Sequence, residues 1–320
     1  MHFKSDFVSP RTGDRESNAK ARAISLDLSG DGRKLVAASN TGRVAVFDRQ
    51  EGVVTHLHDG SSPVSSLSFS EHRSMVLIGL SAGGAILMTE SGEPVATLSS
   101  EESCTMGIAF EDGLVLTRND WERVLLWRSH QGRLPEALPL TDEEGARRHA
   151  SFVGRAFDGS VVLMSGFAWM LLDPMTMQSR RSFDLGHLDL PDFPDGLTGL
   201  SRTGRFAYHY WDQHLVWSTA TGEPITKARR KFDCFCAALS DNGRFLALGD
   251  KQGNVRVLGP DANQVYLVNK SPATVKRIAI DDHGQTVAWL DRNGRFGWVA
   301  IESGAEILNP DEAAERFFGP

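Results

Sequence analysis

Short apolar runs alternate with small polar turns along the chain, and residues 237–258 show this pattern most clearly. Their sequence is AALSDNGRFLALGDKQGNVRVL, in which Asp-Asn-Gly and Lys-Gln-Gly separate three apolar runs. Turns of this composition supply the positive backbone φ that tight hairpins require. The stretch therefore predicts three antiparallel strands joined by two hairpin turns.

The same unit returns at intervals of roughly forty residues, which is typical of a repeat architecture. The positions equivalent to Gly243 are Gly32, Arg73, Gly113, Gly159, Gly204 and Gly284. A second and a third turn follow each of these positions, so the pattern predicts seven units of four short strands.

The second strand of each unit is almost continuously apolar, for example at 35–38, 245–248 and 286–289. Such a strand is covered on both faces, which a single four-stranded sheet cannot achieve alone. Radial packing of the sheets solves this problem and leaves only short free edges. We therefore predict an all-β protein, a seven-bladed β-propeller of four-stranded antiparallel blades that occupies residues 20–320.

The two ends of the chain depart from the repeat. Residues 1–19 are polar and rich in turn formers, so we expect an N-terminal arm. Its segment 3–8 is one candidate for an outer strand of the last blade, and 306–308 is another. Residues 311–318 are expected to form a single helical turn.

Several segments resemble the WD-repeat family of seven-bladed β-propellers, and the resemblance extends over roughly residues 21–310. The matching segments are TGRVAVFD at 41–48 and QGNVRVL at 252–258, together with Trp127 and Trp217 at the ends of third strands. The family's aspartate in the second turn is replaced by Thr41, Gly83, Gln252 and Asn293. We therefore expect its structural hydrogen-bond tetrad to be absent.

Charge and composition narrow the function classes. The chain has 34 basic and 41 acidic residues, a net charge of −7, which argues against broad binding to nucleic acid or anionic membranes. No apolar stretch is long enough to cross a bilayer and no secretory signal is visible, so we expect a cytoplasmic protein.

Motifs of catalytic and metal sites are absent from the sequence, and we expect no cofactor. There is no phosphate-binding loop, no Gly-x-Ser-x-Gly elbow and no His-Glu-x-x-His. Three cysteines cannot form a disulfide framework for a chain of this length. Cys234 and Cys236 are expected on the same face of a first strand, as small core residues.

The second turns of three consecutive units carry large aromatic side chains, whereas those of the other units are small or polar. Exposed aromatic side chains rimmed by charge often anchor protein interfaces. The predicted contact surface consists of Trp121, Arg123, Phe167, Trp169, Phe193 and Trp211. The alternative is that these rings fold inward and fill the core.

The connections between units are mostly acidic, for example at Asp142, Glu143 and Glu144, with one basic exception at 227–231. A face of this charge would steer a basic partner and repel polyanions. We therefore predict a protein partner of basic character.

Together these features predict a non-catalytic protein-interaction module that is a monomer or a subunit of a hetero-complex. The alternative hypothesis is an enzyme or small-ligand binder that uses the mouth of the axial channel. Its candidate polar groups are His149, His187, His209, Asp212 and His214.

Overall fold

The computed structural model describes residues 21–59, 62–70, 74–99, 104, 106–109, 114–118, 124–128, 132–133, 151–165, 168–173, 176, 178–184, 197–210, 213–229, 232–260, 265–303, 306–308 and 310–318. The arm expected at 1–19 lies outside these residues. No helix in the described part is long and apolar enough to span a membrane.

Antiparallel sheets of four strands account for nearly all of the described chain, and each sheet is one uninterrupted stretch of sequence. Sheet 1 contains β1 Ala23–Leu28, β2 Lys34–Ser39, β3 Arg43–Asp48 and β4 Val53–Asp59. Sheet 2 contains β5 Val64–Phe69, β6 Met75–Leu80, β7 Ala85–Thr89 and β8 Pro94–Leu98. Sheet 3 contains β9 Met106–Ala109, β10 Leu114–Arg118, β11 Val124–Arg128 and β12 Gly132–Arg133.

The second half of the chain continues in the same order. Sheet 4 contains β13 Ser151–Arg155, β14 Val161–Ser165, β15 Ala168–Leu172 and β16 Ser179–Asp184. Sheet 5 contains β17 Leu197–Leu200, β18 Phe206–Tyr210, β19 Gln213–Ser218 and β20 Pro224–Arg229. Sheet 6 contains β21 Cys234–Leu239, β22 Leu246–Asp250, β23 Asn254–Leu258 and β24 Val265–Lys270. Sheet 7 contains β25 Val275–Ile280, β26 Thr286–Asp291, β27 Phe296–Ala300 and β28 Glu306–Leu308.

Serine and glycine together close the turns between first and second strands. In sheet 1 the Ser29 hydroxyl accepts the Lys34 amide at 2.9 Å, and the Gly32 amide donates to the Ser29 carbonyl at 2.9 Å. Gly32 has φ +65°, which is unfavourable for residues with a side chain. Sheet 2 has no glycine in this turn, and Ser74 adopts φ 49° instead.

The second strands are buried on both faces, as their apolar sequences predicted. All residues of β22 and β26 are buried, and in β2 only Lys34 is partly exposed. Their side chains pack against both neighbouring sheets. Val36 and Ala38 of β2, for example, share a core with Val76 and Ile78 of β6.

Contacts between first strands place them innermost. β1 contacts β5 and β25, β5 contacts β9, β17 contacts β13 and β21, and β21 contacts β25. The sheets are thus arranged around a central channel, and the last sheet returns to the first. The prediction of an all-β propeller of four-stranded antiparallel blades is confirmed.

The C-terminal segment is more ordered than its sequence suggested. Helix α1, Pro310–Phe318, replaces the single turn that was expected. Phe317 and Phe318 are buried among Phe47, Phe296 and Trp298, so α1 covers the junction between sheets 7 and 1. The fourth strand of sheet 7 is β28, as one of the two interpretations proposed, and segment 3–8 lies outside the described residues.

Candidate interaction surface

The meander order gives the propeller two different ends. At one end lie the turns between first and second strands, which we call the first-turn face. At the other lie the turns between second and third strands, including 40–42, 251–253 and 292–294, and the connections between sheets, including 271–274. We call this end the second-turn face.

Trp169 does not belong to an exposed surface, so this part of the predicted contact surface is wrong. Its side chain is 2% exposed and packs edge-to-face on Trp217, with ring centroids 4.8 Å apart. The cause is the alternation of side chains along β15, which places Trp169 and Leu171 in the core between sheets 4 and 5.

The remaining predicted contact residues, Trp121, Arg123, Phe167, Phe193 and Trp211, lie outside the described residues. The strand before Trp211 is nevertheless well defined. Tyr210 ends β18 with its ring buried, and its hydroxyl accepts the Phe232 amide at 2.8 Å. This hydrogen bond ties the connection before sheet 6 to the end of β18.

Of the polar groups proposed for a catalytic channel mouth, only His209 has a side chain within the described part of the chain. His209 is 6% exposed, and burial lowers its pKa, which keeps the imidazole neutral. Its Nε2 has no hydrogen-bond partner in the structure. His149, His187 and Asp212 lie outside the described residues, and His214 contributes backbone pairing to β19.

A β-bulge near the start of β21 determines where its side chains point. Cys234 pairs with Asp250 and Cys236 with Gly249, so Phe235 between them has no partner across the pair. Cys234 packs with sheet 5 and Cys236 with sheet 7. The prediction that both thiols share one face is therefore wrong, because the bulge reverses the alternation.

Both thiols remain protonated at neutral pH. Burial raises the pKa of Cys234 and that of Cys236 to about 12 in each case. A thiol with so high a pKa is a poor nucleophile and a poor metal ligand. Among the described residues no group of three or more His, Cys, Asp or Glu is placed to hold a metal ion.

The bulge turns Phe235 outward at the second-turn face. Its side chain is 51% exposed, although β21 is an innermost strand whose neighbours are mostly covered. The sequence analysis missed this residue, because alternation alone treats Cys-Phe-Cys as an ordinary strand. The sequence feature that could have indicated an exposed Phe235 is a large aromatic residue shortly after a charged connection between two sheets.

The opposite end of the channel is spanned by Arg202. This residue lies in the first turn of sheet 5, and its guanidinium donates to Asp282 of sheet 7 at 3.1 Å and to the Leu28 carbonyl of sheet 1. Asp27 lies 3.9 Å from it. Sheets 5 and 1 are not neighbours, so the Arg202 side chain crosses the channel at the first-turn face.

Hydrogen bonds between first turns also join several neighbouring sheets at this end. The Phe157 amide donates to Gly204 at 3.2 Å, and the Thr203 amide to Asp241 at 2.8 Å. The Asp282 amide donates to the Gly30 carbonyl at 2.8 Å, which joins sheets 7 and 1. This end is therefore tied together by its own polar groups.

A groove of ≈ 410 Å³ lies between the outer strands of sheets 1 and 2. Its wall contains Lys34, which forms an ion pair with Glu90 and lies 3.9 Å from Asp48. The lysine joins the two sheets, and the groove stays acidic because Asp48, Glu51 and Glu90 all line it. We interpret these side chains as a structural contact between blades.

Comparison with known proteins finds similarity in solved structures. No model of a known protein family matches the chain. No curated protein matches its sequence. Solved structures that share the fold include the β-propeller domain of Cps50 (Swd1) from Myceliophteria thermophila, with a TM-score of 0.68 and 14% identity over 90% of this chain and 98% of that chain.

Another is a chain of the mitotic checkpoint complex, with a TM-score of 0.62 and 12% identity over 87% of this chain and 90% of that chain. Identities this low show the fold alone.

The two tryptophans behind the WD-repeat resemblance differ in their contacts. The Trp127 indole donates to Thr117 Oγ1 at 2.9 Å, whereas the Trp217 indole has no partner in the structure.

Proposed function

We propose that this protein is a non-catalytic interaction module in which a ring of seven blades presents its second-turn face to a partner protein. Seven four-stranded sheets and the contact of sheet 7 with sheet 1 support this ring. The junction between sheets 3 and 4 falls largely on residues that the structure leaves out. An experimental map of the whole chain tests the blade count, and a ring of six would contradict it.

The exposure of the Phe235 side chain is the main support for the functional proposal. Exposed aromatic side chains at the centre of a surface are common anchors of protein interfaces, because they bury much area at little cost in conformational entropy. Phe235 lies beside the channel mouth, whereas Arg202 spans the channel at the other end. The second-turn face is therefore the end that we assign to the partner.

The comparisons are consistent with this role, since one similar chain is described as part of a multi-protein complex. We include Trp121, Arg123, Phe167, Phe193 and Trp211 in the proposed contact surface, together with Phe235. The Tyr210–Phe232 hydrogen bond supports this grouping, because it holds the connection before Phe235 against the end of β18, and Trp211 follows β18 in sequence.

The test is affinity capture from the native cell, followed by mass spectrometry and a binding measurement with the captured protein. We expect Phe235→Ala to weaken binding by more than about 1 kcal/mol, the loss typical of an interface anchor. Trp211→Ala should act in the same direction. Thermal unfolding must show that each variant is folded.

Ile225→Ala is the matched control. Ile225 is 53% exposed and lies on the outer strand β20, away from the proposed face. Its truncation should leave binding unchanged. Equal binding by all three variants and the wild type would refute the proposed surface.

A further inference from the structure

Four cationic side chains lie close together on the second-turn face where sheet 7 meets sheet 1. We call this group the basic rim: Arg22, Lys276, Arg277 and Arg292. Lys276 and Arg277 begin β25, Arg292 lies in the second turn of sheet 7, and Arg22 precedes β1.

Backbone contacts bring the basic rim together. The Arg292 amide donates to the Thr274 carbonyl at 2.8 Å, which places the turn beside the start of β25. A Cβ at Gly294 of the same turn would lie only 2.8 Å from the Arg22 Cβ. A bulge at Lys276 places this residue beside Arg277 at the edge of the channel mouth.

Within the described part of the chain, none of these four side chains has a hydrogen bond or ion pair. The nearby carboxylate of Asp291 is buried and already occupied. It accepts the Ser271 hydroxyl at 2.5 Å and the amides of Asn293 and Arg295 at 2.8 and 2.9 Å. Other cations on this face are paired, for example Lys251 with Asp233 at 3.6 Å.

The surroundings of Lys276 disfavour the charged form of its amine. Partial burial lowers its pKa, the positive charges of Arg277 and Arg292 lower it further, and Asp291 opposes them. A bound anion would lower the free energy of the charged lysine. This condition favours an anionic ligand at the basic rim.

Phe235 lies at the same level on the adjacent innermost strand. The Cys236 thiol donates to the Val275 carbonyl at 3.5 Å, and these residues directly neighbour Phe235 and Lys276 in sequence. The rim therefore combines four cations with an exposed aromatic ring over a small area. A nucleic acid needs an extended basic track, whereas these four cations cover only a small area.

We propose that the basic rim receives an acidic segment of the partner protein, with carboxylates on the four cations and an apolar side chain against Phe235. This inference rests on the proposed interaction role of the second-turn face. It also replaces the prediction of a basic partner for this part of the face. The acidic connection at 142–144, which supported that prediction, lies outside the described residues.

The experiment measures binding of a fluorescein-labelled, glutamate-rich peptide with a single leucine to the full chain by anisotropy. The wild type should bind at low salt and lose affinity as salt rises, because exposed charges are screened. In Arg277→Gln/Arg292→Gln we expect affinity to fall about tenfold. The salt dependence should become shallower in the same variant.

Lys251→Gln is the matched control, since it removes one positive charge from the same face at a residue that is already paired. Its affinity should change less than about twofold. Equal binding by the double variant and the control would overturn the proposal, as would no binding of the peptide by wild type. Tighter binding of oligothymidylate than of the peptide would assign the rim to nucleic acid and also overturn it.

Binding of the native partner by these variants distinguishes this inference from the proposed function. A partner that Phe235→Ala loses, but that the double variant and Lys251→Gln retain equally, would support the interaction role and refute the acidic segment. A partner that the double variant loses and Phe235→Ala retains would support the rim and refute the aromatic anchor.

Discussion

His209 is a residue whose burial predicts a pH dependence of stability. Its pKa in the folded state lies below the ordinary value of 6.5, because burial disfavours the charged imidazole. Because of this lower pKa, the His209 imidazole binds a proton more readily in the unfolded chain than in the folded one. The stability contributed by neutral His209 is therefore present above pH 6.5 and is lost as pH falls through the lowered pKa.

We predict that the thermal midpoint of the wild type falls between about pH 7 and about pH 5, and that His209→Phe reduces this decline. The measurement is thermal unfolding followed by circular dichroism across this range. A second variant at an exposed histidine, His283→Phe, serves as control. Parallel pH profiles for wild type and His209→Phe would contradict the prediction.

At the residue scale, the strand pattern did not predict the direction of every side chain. Trp169 and Phe235 illustrate the reason. Trp169 is one residue inside a regular strand, so alternation carries it into the core. Phe235 occupies a bulge, where the added residue leaves the alternation and reaches solvent. A bulge depends on packing against neighbouring strands, which the local pattern does not encode.

At the scale of elements, α1 closes the junction between the last and first sheets. Phe317 is fully buried, and its ring packs edge-to-face on Phe296, with centroids 5.1 Å apart. Its ring also packs at a tilt against Phe47, with centroids 6.2 Å apart. Arg316 lies over the Phe47 ring at 4.2 Å and donates to the Gly52 carbonyl at 2.9 Å. These contacts attach the helix to both sheet 7 and sheet 1.

We expect Phe317→Ala to lower the free energy of unfolding by about 3–5 kcal/mol, because it leaves a cavity among packed rings. Urea unfolding measures this change, and hydrogen exchange should show the largest loss of protection in β3 and β27. Glu315→Ala, at an exposed position of the same helix, should have little effect. Similar losses for both variants would refute the role of α1 as a packed closure.

The sheets themselves were predictable because turn chemistry repeats along the chain. Glycine at positive φ and serine capping mark the first turns, and unbroken apolar runs mark the buried second strands. Helix α1 was underestimated because a short helix is unstable on its own. Its stability comes from rings supplied by strands distant in sequence, such as Phe47, and no local pattern contains that information.

At the scale of the whole molecule, Arg202 connects three sheets across the channel. Its side chain is 14% exposed and lies between Asp27, Asp282 and the Leu28 carbonyl. Burial raises the pKa of Asp282, and the Arg202 charge opposes this rise. Removal of the arginine would leave the partly buried carboxylates of Asp27 and Asp282 without this positive charge.

We therefore predict that Arg202→Gln destabilises the protein by about 2–4 kcal/mol in urea unfolding at neutral pH. The loss should shrink at acidic pH, where Asp282 is protonated. Arg33→Gln removes an exposed arginine that lies 3.9 Å from Asp31, and its cost should stay below about 0.5 kcal/mol. Equal costs for the two variants would show that Arg202 does not hold the sheets together.

Each sheet described above comes from one continuous segment, and no strand is borrowed from the other end of the chain. The ring is held by side-chain packing, first-turn hydrogen bonds and the docked helix α1. Circular permutation at a connection between sheets would consequently interrupt no strand pairing. Duplication or replacement of a single segment would therefore leave the strand pairing within the other sheets intact.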